Sequence, residues 1–254
     1  MKQPIIEKLL EINRKFYYDF GDAFAATRRR IQPGIRRFLT EIPRDGDWLD
    51  LGCGSGALGV EWALSAKSGS YLGLDFSEPL LREAMLNTDH LAKGNLSIRY
   101  GFVDLMNPGW DEVFSDHSFD GVCAFASVHH IPGAVHHQKI FHTISRILKP
   151  GGLFVISVWQ FQNSPKLMNR IVPWETIGIQ SSELETGDTL LDWRYSLPGQ
   201  PEQTGLRYVH LFTSAELHQL AEDANFQIED EFLSDGAEGN LALYLICRSK
   251  NSKS

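Results

Sequence analysis

Three glycines at alternate positions directly follow a short apolar run, and they constrain the fold of this chain more than any other feature. Residues 48–51 end at Gly52, Gly54 and Gly56, and a helical pattern then occupies residues 57–66. A strand, a glycine turn and a helix in this order leave backbone N–H groups bare at a helix N-terminus, where a nucleotide-like ligand can approach them. The run therefore predicts an α/β fold that binds a ligand at this turn.

The alternation of short apolar strands with longer amphipathic helices continues along the chain. Further strands are predicted at residues 70–75, 95–100, 119–125, 153–158, 226–232 and 242–247, and further helices after Ser77, at 137–148 and at 214–224. The turn Lys149-Pro150-Gly151-Gly152 separates a helix from the fifth strand. This order predicts an α/β fold with a doubly wound, mostly parallel seven-stranded sheet and helices on both faces.

The stretch after the fifth strand departs from this alternation. Residues 160–205 are polar and contain four prolines, and no strand is predicted in them. They also carry Trp174, Trp193 and Tyr195, which is more aromatic content than a disordered linker normally has. We expect an aromatic-containing insertion that caps the ligand site. The predicted parts are an N-terminal helical cap (1–45), a ligand-binding core (46–159), a substrate-side insertion (160–206) and the C-terminal part of the core sheet (207–254).

Composition limits the classes of protein to which the chain can belong. Its 254 residues carry a formal net charge of −8, which opposes broad attraction to nucleic acid. Five arginines between positions 28 and 37 form a local exception, either a solvated helix face or a contact surface. No apolar segment approaches the roughly 18 residues of a membrane span, and no signal peptide is recognised, so a cytoplasmic location is expected. The three cysteines form no CxxC pair, so no disulfide and no metal centre is predicted.

Three aspartates follow or end successive predicted strands. Asp75 closes the second strand, where its carboxylate can accept the hydroxyl groups of a ribose. Asp50 lies within the first strand, where burial is costly unless a cation such as the ammonium group of a sulfonium amino acid pairs with it. Asp104 follows the third strand, and its carboxylate could accept a hydrogen bond from the amino group of adenine. Residues 54–59 also satisfy the dinucleotide pattern GxGxxG, so a nicotinamide-dependent oxidoreductase stays an alternative.

The motifs taken together resemble a known family. The run 49–56, Asp75, Asp104, Phe119-Asp120 and residues 148–152 resemble the class I S-adenosylmethionine-dependent methyltransferases of the methyltransferase type 11 kind. The resemblance implies a Rossmann-like methyltransferase fold with S-adenosyl-L-methionine as the cofactor. It implies that the cofactor is held by Asp50, Gly52, Gly54, Gly56, Asp75, Phe76, Asp104, Leu105 and Ala126.

Two adjacent histidines leave the fourth predicted strand beside the expected sulfonium. His129 and His130 follow Ser127-Val128, and either could act as a general base or as an orienting donor. We assign this role mainly to His129. The alternative is a histidine that only caps a helix or packs in the core.

Short segments outside the core give a closer resemblance. Residues 22–28, 127–130, 158–159, 172–174 and 207–212 are similar to the eukaryotic tRNA methyltransferases that esterify the carboxymethyl group on wobble uridine. That resemblance implies a substrate pocket formed by Arg28, His129, Trp159, Arg207 and His210. The arginines would hold a carboxylate by bidentate contacts, and Trp159 would wall the pocket or stack on the base. It also implies tRNA as a partner and a small zinc-binding protein as an activator.

Other functions stay open at this point. A methyltransferase of a small metabolite would use the aromatic insertion as its lid. A nicotinamide-dependent oxidoreductase would leave Asp104 without a task, and the chain has no YxxxK pair near the fourth strand. A non-catalytic binding module would have no use for the intact set of glycines and acids. For a methyltransferase, the acceptor of the methyl group is either tRNA or a small molecule.

Overall fold

The computed structural model describes residues 1–26, 30–41, 45–65, 68–91, 95–195 and 202–250. The helices are α1 (Gln3–Ala26), α2 (Pro33–Glu41), α3 (Ala57–Ser65), α4 (Glu78–Thr88), α5 (Ala134–Ile147), the single turn α6 (Pro165–Met168) and α7 (Ser214–Asp223). The strands are β1 (Asp47–Leu51), β2 (Ser68–Asp75), β3 (Asn95–Phe102), β4 (Phe119–Phe125), β5 (Leu148–Trp159), β6 (Asp188–Tyr195), β7 (Gln203–His210), β8 (Phe226–Ser234) and β9 (Ala242–Ser249).

Seven of these strands form one sheet in the order β3-β2-β1-β4-β5-β9-β8. The first five strands run parallel, and β9 is antiparallel to both of its neighbours. The predicted doubly wound, mostly parallel seven-stranded sheet is therefore confirmed. The strand order reverses between β1 and β4, and in such sheets ligands bind at the carboxyl ends of the strands beside this reversal.

The sheet is covered on both faces because its central strands are apolar on both sides. On one face, α5 and α7 pack against the sheet through a large apolar cluster that includes Phe141, Ile144 and Phe154, all fully buried. On the other face, a cluster around Trp48, Trp62 and Tyr71 fills the space under α2 and α3. Replacing a side chain such as Phe141 with alanine would cost about 3–5 kcal/mol, so this core holds the ligand-binding edge in place.

The insertion contains two strands that the sequence analysis did not predict. β6 and β7 pair antiparallel over their full length and form a separate two-stranded sheet. The expectation that residues 160–205 hold no strand was wrong. Leu190 and Leu191 are adjacent and both fully buried, so this hairpin is covered on both faces and lacks the alternating pattern of a half-exposed strand. The boundary expected between residues 206 and 207 falls inside β7, which pairs with the insertion and not with the core sheet.

The long first helix lies against this hairpin. Asn13 of α1 is 3% exposed, and its side-chain amide donates hydrogen bonds to the backbone oxygens of His130 (2.9 Å) and Tyr208 (3.1 Å). Its side-chain oxygen accepts the backbone N–H of Tyr208 at 2.9 Å. One side chain thus fixes α1 to both β7 and the loop after β4.

Among the described residues, no helix combines the length and the apolar character that a bilayer span requires.

Candidate active site

A cleft of about 630 Å³ lies at the carboxyl edge of the sheet. The ends of β1, β2, β4 and β5 border it, together with one side of α1 and the hairpin of β6 and β7. Ten of the residues predicted for the site line this cleft: Asp50, Gly52, Gly54, Asp75, Phe76, Asp104, Leu105, Ala126, Trp159 and Arg207. Gly56, His129 and His210 do not line it, and Arg28 lies outside the described residues.

The glycine turn needs glycine at each of its three positions, for two different reasons. Gly52, Gly54 and Gly56 all have positive φ, at 79°, 54° and 77°, which other residues rarely adopt. A Cβ atom at Gly52 would lie 2.4 Å from the Cβ atom of Ser127, and one at Gly56 would lie 2.7 Å from that of Ala84. A Cβ atom at Gly54 would meet nothing within 4 Å, so this residue presents bare backbone to the open cleft.

Two buried aspartates lie side by side beneath this turn. Asp75 accepts the backbone N–H groups of Gly54 and Ser77, each at 2.9 Å, so its carboxylate fixes the turn to the end of β2. Burial raises the pKa of Asp75, and these N–H groups partly oppose the rise. Asp50 accepts a hydrogen bond from the Tyr71 hydroxyl, a partner that sequence reasoning missed. Burial raises the pKa of Asp50 to about 7, against the lowering effect of Tyr71 and with a further contribution from Asp75.

Asp104 forms an ion pair with the first helix. Its Oδ2 accepts hydrogen bonds from Arg14 Nε at 3.1 Å and Nη2 at 2.6 Å, and its Oδ1 accepts the backbone N–H of Met106 at 2.9 Å. The side chain of Asp104 is 15% exposed and that of Arg14 is 43% exposed. The predicted contact of Asp104 with the adenine amino group stays a prediction, and Arg14 of α1 pairs with the same carboxylate.

The loop after β4 begins with a strained residue. Ala126 has φ 51°, and its backbone N–H donates to both the backbone oxygen and the Oγ of Ser157, at 3.0 and 3.1 Å. This left-handed conformation turns the chain sharply at the edge of the cleft and brings Ser127 against Gly52. The Oγ of Ser127 is buried and has no hydrogen-bond partner among the described residues.

The two adjacent histidines take different places. His129 is fully buried, its ring stacks on Trp159 with centroids 5.2 Å apart, and its Nδ1 accepts the Trp159 backbone N–H at 3.4 Å. His130 lines the cleft, with Nε2 lying 3.1 Å from the Tyr17 hydroxyl and Nδ1 3.0 Å from the Tyr208 carbonyl oxygen. His129 therefore lies behind Trp159, whereas His130 reaches the cleft. The role of His129 as a general base or orienting donor stays a prediction.

Arg207 brings a buried positive charge to the wall of the cleft. It is 2% exposed, and its guanidinium carbon lies 4.8 Å from the centre of the Trp159 ring and 4.9 Å from that of Phe16. Cations over aromatic faces are attracted by the ring quadrupole, and burial strengthens this attraction. The two rings therefore hold the guanidinium group in a defined orientation at the edge of the cleft.

His210 does not reach the cleft, which differs from the place that the resemblance gave it. It is 2% exposed, and its two ring nitrogens lie 2.9 Å from Asp188 Oδ1 and 2.9 Å from Glu216 Oε1. Burial alone lowers the pKa of His210, but the hydrogen bonds to Asp188 and Glu216 outweigh it and raise the pKa to about 9. Residues 207 and 210 lie three positions apart on β7, so their side chains leave opposite faces of the strand.

Several cleft residues were missed by sequence reasoning. They are Asn13, Arg14 and Tyr17 on α1 and Ser127 after β4, whereas His130 and Trp193, which the sequence analysis did name, also line the cleft. Asn13 and Tyr17 are four residues apart on one face of an amphipathic helix, and a polar residue on such a face was the only signal available. Their place at the cleft depends on how α1 crosses the hairpin.

Six basic side chains border the cleft, and all of them come from outside the core sheet. They are Arg14, Arg30, Lys166, Arg170, Arg194 and Arg207. By contrast, Asp50 and Asp75 belong to β1 and β2, and Asp104 follows β3. The strand ends therefore border the cleft with acidic groups, and the elements around them, which form its outer half, contribute basic groups. Arg14 and Asp104 pair where the two parts meet.

Comparison with known proteins gives a family match over most of the chain. Residues 24–231 match the family described as "methyltransferase domain". A methyltransferase of Encephalitozoon cuniculi is 28% identical over 217 residues, which are 85% of this chain and 87% of that protein. A tRNA (carboxymethyluridine(34)-5-O)-methyltransferase of Arabidopsis thaliana is 29% identical over 64% of this chain, and the match spans only 37% of that protein. Nocamycin O-methyltransferase of Saccharothrix syringae is 32% identical over 48% of this chain and 41% of its own length.

Solved structures agree on the fold. A S-adenosylmethionine-dependent methyltransferase of Methanosarcina mazei has a TM-score of 0.60 at 21% identity, covering 88% of this chain and all of its own. A methyltransferase of Haloferax volcanii, solved in complex with the Trm112 activator, has a TM-score of 0.62 at 18% identity, covering 96% of this chain and 99% of its own. The family match over residues 24–231 favours the methyltransferase interpretation over the oxidoreductase and the non-catalytic module.

Proposed function

The chain belongs to this methyltransferase domain family, is an enzyme that uses S-adenosylmethionine, and, we propose, transfers the methyl group to a carboxylate on a modified tRNA wobble uridine. The observation that carries the proposal is Arg207, a buried guanidinium group held by two aromatic rings at the edge of the cleft. A buried arginine is suited to bidentate binding of a carboxylate.

The residues present fit the cofactor. Gly54 offers an open backbone surface, and the paired carboxylates of Asp50 and Asp75 lie directly beneath it. Asp75 keeps acceptor sites for the ribose hydroxyls, Asp50 provides a negative charge for the ammonium group, and Phe76 and Leu105 border the cleft as apolar surface for adenine. When bound, S-adenosylmethionine supplies a methyl group on a positively charged sulfur, which makes that methyl group electrophilic.

A carboxylate acceptor changes what the protein must do. Since a carboxyl group is already ionised at neutral pH, its oxygen needs no general base before it attacks. The protein contributes orientation and exclusion of water, and these are the tasks that Arg207 and Trp159 are placed to perform. His130, held between Tyr17 and Tyr208, would then position the acceptor without removing a proton from it.

The tRNA part of the proposal rests on two further supports. The relative from Arabidopsis thaliana is named for methyl transfer to carboxymethyluridine, an acceptor that carries a carboxylate. The outer half of the cleft bears basic side chains from α6, β6 and the loop before α2, and such side chains can meet the phosphates that flank a wobble base. By likeness to the Haloferax volcanii complex, a small activator protein is proposed as a partner.

The direct test is methyl transfer to tRNA. Bulk tRNA that carries carboxymethyluridine but lacks its ester is incubated with labelled S-adenosylmethionine and the chain, with and without a Trm112-type activator. We expect label in the tRNA that mild alkali releases, because a methyl ester hydrolyses under these conditions. Label that resists alkali would contradict the carboxylate acceptor, and no label under either condition would contradict tRNA as the substrate.

The role of Arg207 is tested separately. Arg207→Lys keeps the charge but loses the planar fork, so KM for the acceptor should rise at least about tenfold while the affinity for S-adenosylmethionine stays unchanged. Arg99→Lys, on the exposed side of β3, is the matched control and should behave like the wild type. An acceptor KM that Arg207→Lys leaves unchanged would remove Arg207 from the acceptor site.

A small metabolite is the second candidate acceptor. It is favoured by the match to nocamycin O-methyltransferase, a protein named for an O-methylation outside tRNA. Here Trp193 and its stacked neighbour Tyr195, 5.3 Å apart at 8°, would serve as the lid over a small ring. Transfer to small carboxylic acids in the absence of any tRNA would support this candidate.

A further inference from the structure

A second cluster of chemically active side chains lies away from the cleft. It consists of His137 on α5, His210 at the end of β7 and Glu216 in the first turn of α7. Each residue offers one ligand atom, and the three atoms all lie within 4.8 Å of one another. Both histidines are almost fully buried, and the Glu216 side chain is 32% exposed. None of the three residues lines the cleft described above.

The hydrogen bond of His137 fixes which of its ring nitrogens is available. Its Nε2 lies 2.6 Å from the carbonyl oxygen of Ile131, and a carbonyl can only accept, so Nε2 carries the hydrogen. In a neutral ring, Nδ1 then keeps a free lone pair. This atom is buried and has no hydrogen-bond partner among the described residues, which is uncommon for a buried polar atom.

The second histidine is held from behind by a carboxylate. Asp188 has a fully buried side chain, and its Oδ1 accepts the Tyr208 hydroxyl at 2.7 Å and lies 2.9 Å from His210 Nδ1. Its Oδ2 accepts the backbone N–H of Glu185 at 2.9 Å. Asp188 is thus anchored at both oxygens and directs His210 Nε2 toward Glu216, which lies 2.9 Å away.

We propose that His137 Nδ1, His210 Nε2 and the Glu216 carboxylate form a binding site for a divalent transition-metal ion, with zinc as the best match. Two nitrogens and one carboxylate oxygen are a common zinc donor set, and a water molecule completes the tetrahedron. Both histidines already donate their other N–H to an oxygen, one to a carbonyl and one to a carboxylate, as metal-binding histidines do.

The three ligand atoms lie within 4.8 Å of one another, so the ion has to draw them to its own ligand spacing. Two ligand atoms on one tetrahedral zinc lie roughly 3.3 Å apart, and His210 Nε2 and Glu216 Oε1 are separated by 2.9 Å. The ion would replace the proton between these two atoms. Glu216 is partly exposed and can shift, while both rings are fixed by their outer hydrogen bonds.

Within the part of the chain that the structure describes, no backbone hydrogen bond joins α5, α7 and β7, and such an ion would connect these three elements. α5 and α7 belong to the core, whereas β7 belongs to the insertion hairpin and carries Arg207 at the cleft. Gly187 packs against this point, where a Cβ atom would lie 3.2 Å from His210 Cε1. The site would therefore hold the hairpin to the core.

The test measures metal binding by the full chain without cofactor or acceptor, so it is independent of the proposed function. Chelator-treated protein is titrated with zinc chloride by calorimetry and with cobalt chloride by absorption spectroscopy. We expect one zinc per chain and the visible absorption bands of a tetrahedral cobalt site. His137→Gln and Glu216→Gln should each weaken zinc binding at least about tenfold.

A matched control is available on the same helix. His218 forms an exposed pair with Glu231 at 2.8 Å, so His218→Gln removes a histidine–glutamate pair outside the cluster and should bind zinc like the wild type. Far-ultraviolet circular dichroism of each metal-free variant separates loss of the site from loss of the fold. Wild-type protein that binds no stoichiometric zinc, or zinc binding that folded Glu216→Gln and His137→Gln retain in full, would overturn the proposal.

Discussion

At the scale of single residues, Asp50 shows how burial converts a carboxylate into a group that titrates near neutrality. The residue is 3% exposed, and burial raises its pKa to about 7, while Tyr71 opposes the rise. The unfolded chain would titrate this group near its ordinary value of about 3.9. Between these two values the folded chain without ligand holds one more proton than the unfolded chain, so its stability falls as the pH rises through this window.

This titration predicts the pH dependence of stability. The contribution of Asp50 to the free energy of unfolding is fully present below about pH 4 and is lost by about pH 7. Between these values the free energy of unfolding falls by up to roughly 1.4 kcal/mol per pH unit. Asp50→Asn should therefore flatten the decline in the free energy of unfolding from about pH 4 to about pH 7, measured by urea denaturation without ligand. Asp89→Asn, an exposed change directly after α4, should keep the wild-type slope. Equal slopes for the wild type and Asp50→Asn would contradict the raised pKa.

A second residue, Ala126, carries backbone strain that a substitution can release. Its φ of 51° lies in the left-handed region, which costs an alanine about 1 kcal/mol. Ala126→Gly should stabilise the chain by about 0.5–1 kcal/mol, read from the urea midpoint. Ala124→Gly, in the buried part of β4, removes a methyl group without relieving strain and should destabilise the chain. Destabilisation by both changes would mean that the strain at Ala126 is negligible.

At the scale of elements, the sequence predicted those helices and strands whose positions follow from a local pattern of apolar residues. The core strands and α3, α5 and α7 have regular apolar spacing, so most of their bounds were located to within a few residues. The exception is β5, which begins at Leu148 and includes the predicted turn at residues 149–152. Strand β6 was not predicted, because Leu190 and Leu191 are adjacent and buried on opposite faces. The place of α1 over the cleft was also not predictable, since the contacts of Asn13 with His130 and Tyr208 join residues more than one hundred positions apart.

These contacts predict that Asn13 holds the first helix in place. Asn13→Leu keeps the volume but removes three hydrogen bonds, including those to the His130 carbonyl oxygen and the Tyr208 N–H, at a cost of about 2 kcal/mol or more, while the Tyr208 carbonyl oxygen keeps its contact with His130 Nδ1. Amide hydrogen exchange in α1 and at Tyr208 should become faster, while exchange in β4 and β5 changes less. Asn87→Leu, which removes one exposed hydrogen bond to Ser55, serves as the control. Unchanged exchange in α1 would show that apolar packing alone holds the helix.

At the scale of the whole molecule, the separation of charge is what links fold and function. The glycines and acids at the strand ends could be assigned from sequence because the topology of a parallel sheet brings strand ends together. The basic outer half could not, because its side chains come from α1, α6 and the hairpin, whose arrangement depends on long-range packing. His210 illustrates the same limit, since two residues on one strand can face two different sites.

Cofactor binding should stabilise the molecule as a whole. A ligand that binds only the folded chain adds about 2.7 kcal/mol at one hundred times its Kd, which raises Tm by roughly 5–10 °C for a chain of this size. S-adenosylmethionine should produce this shift in a thermal melt, and NAD at the same concentration should not. In Asp75→Ala the shift should largely disappear, because the ribose hydroxyls lose their acceptor and Gly54 loses the carboxylate that fixes the turn. A full shift in that variant would place the nucleoside away from β2, and a shift with NAD alone would contradict the assignment of the cleft to S-adenosylmethionine.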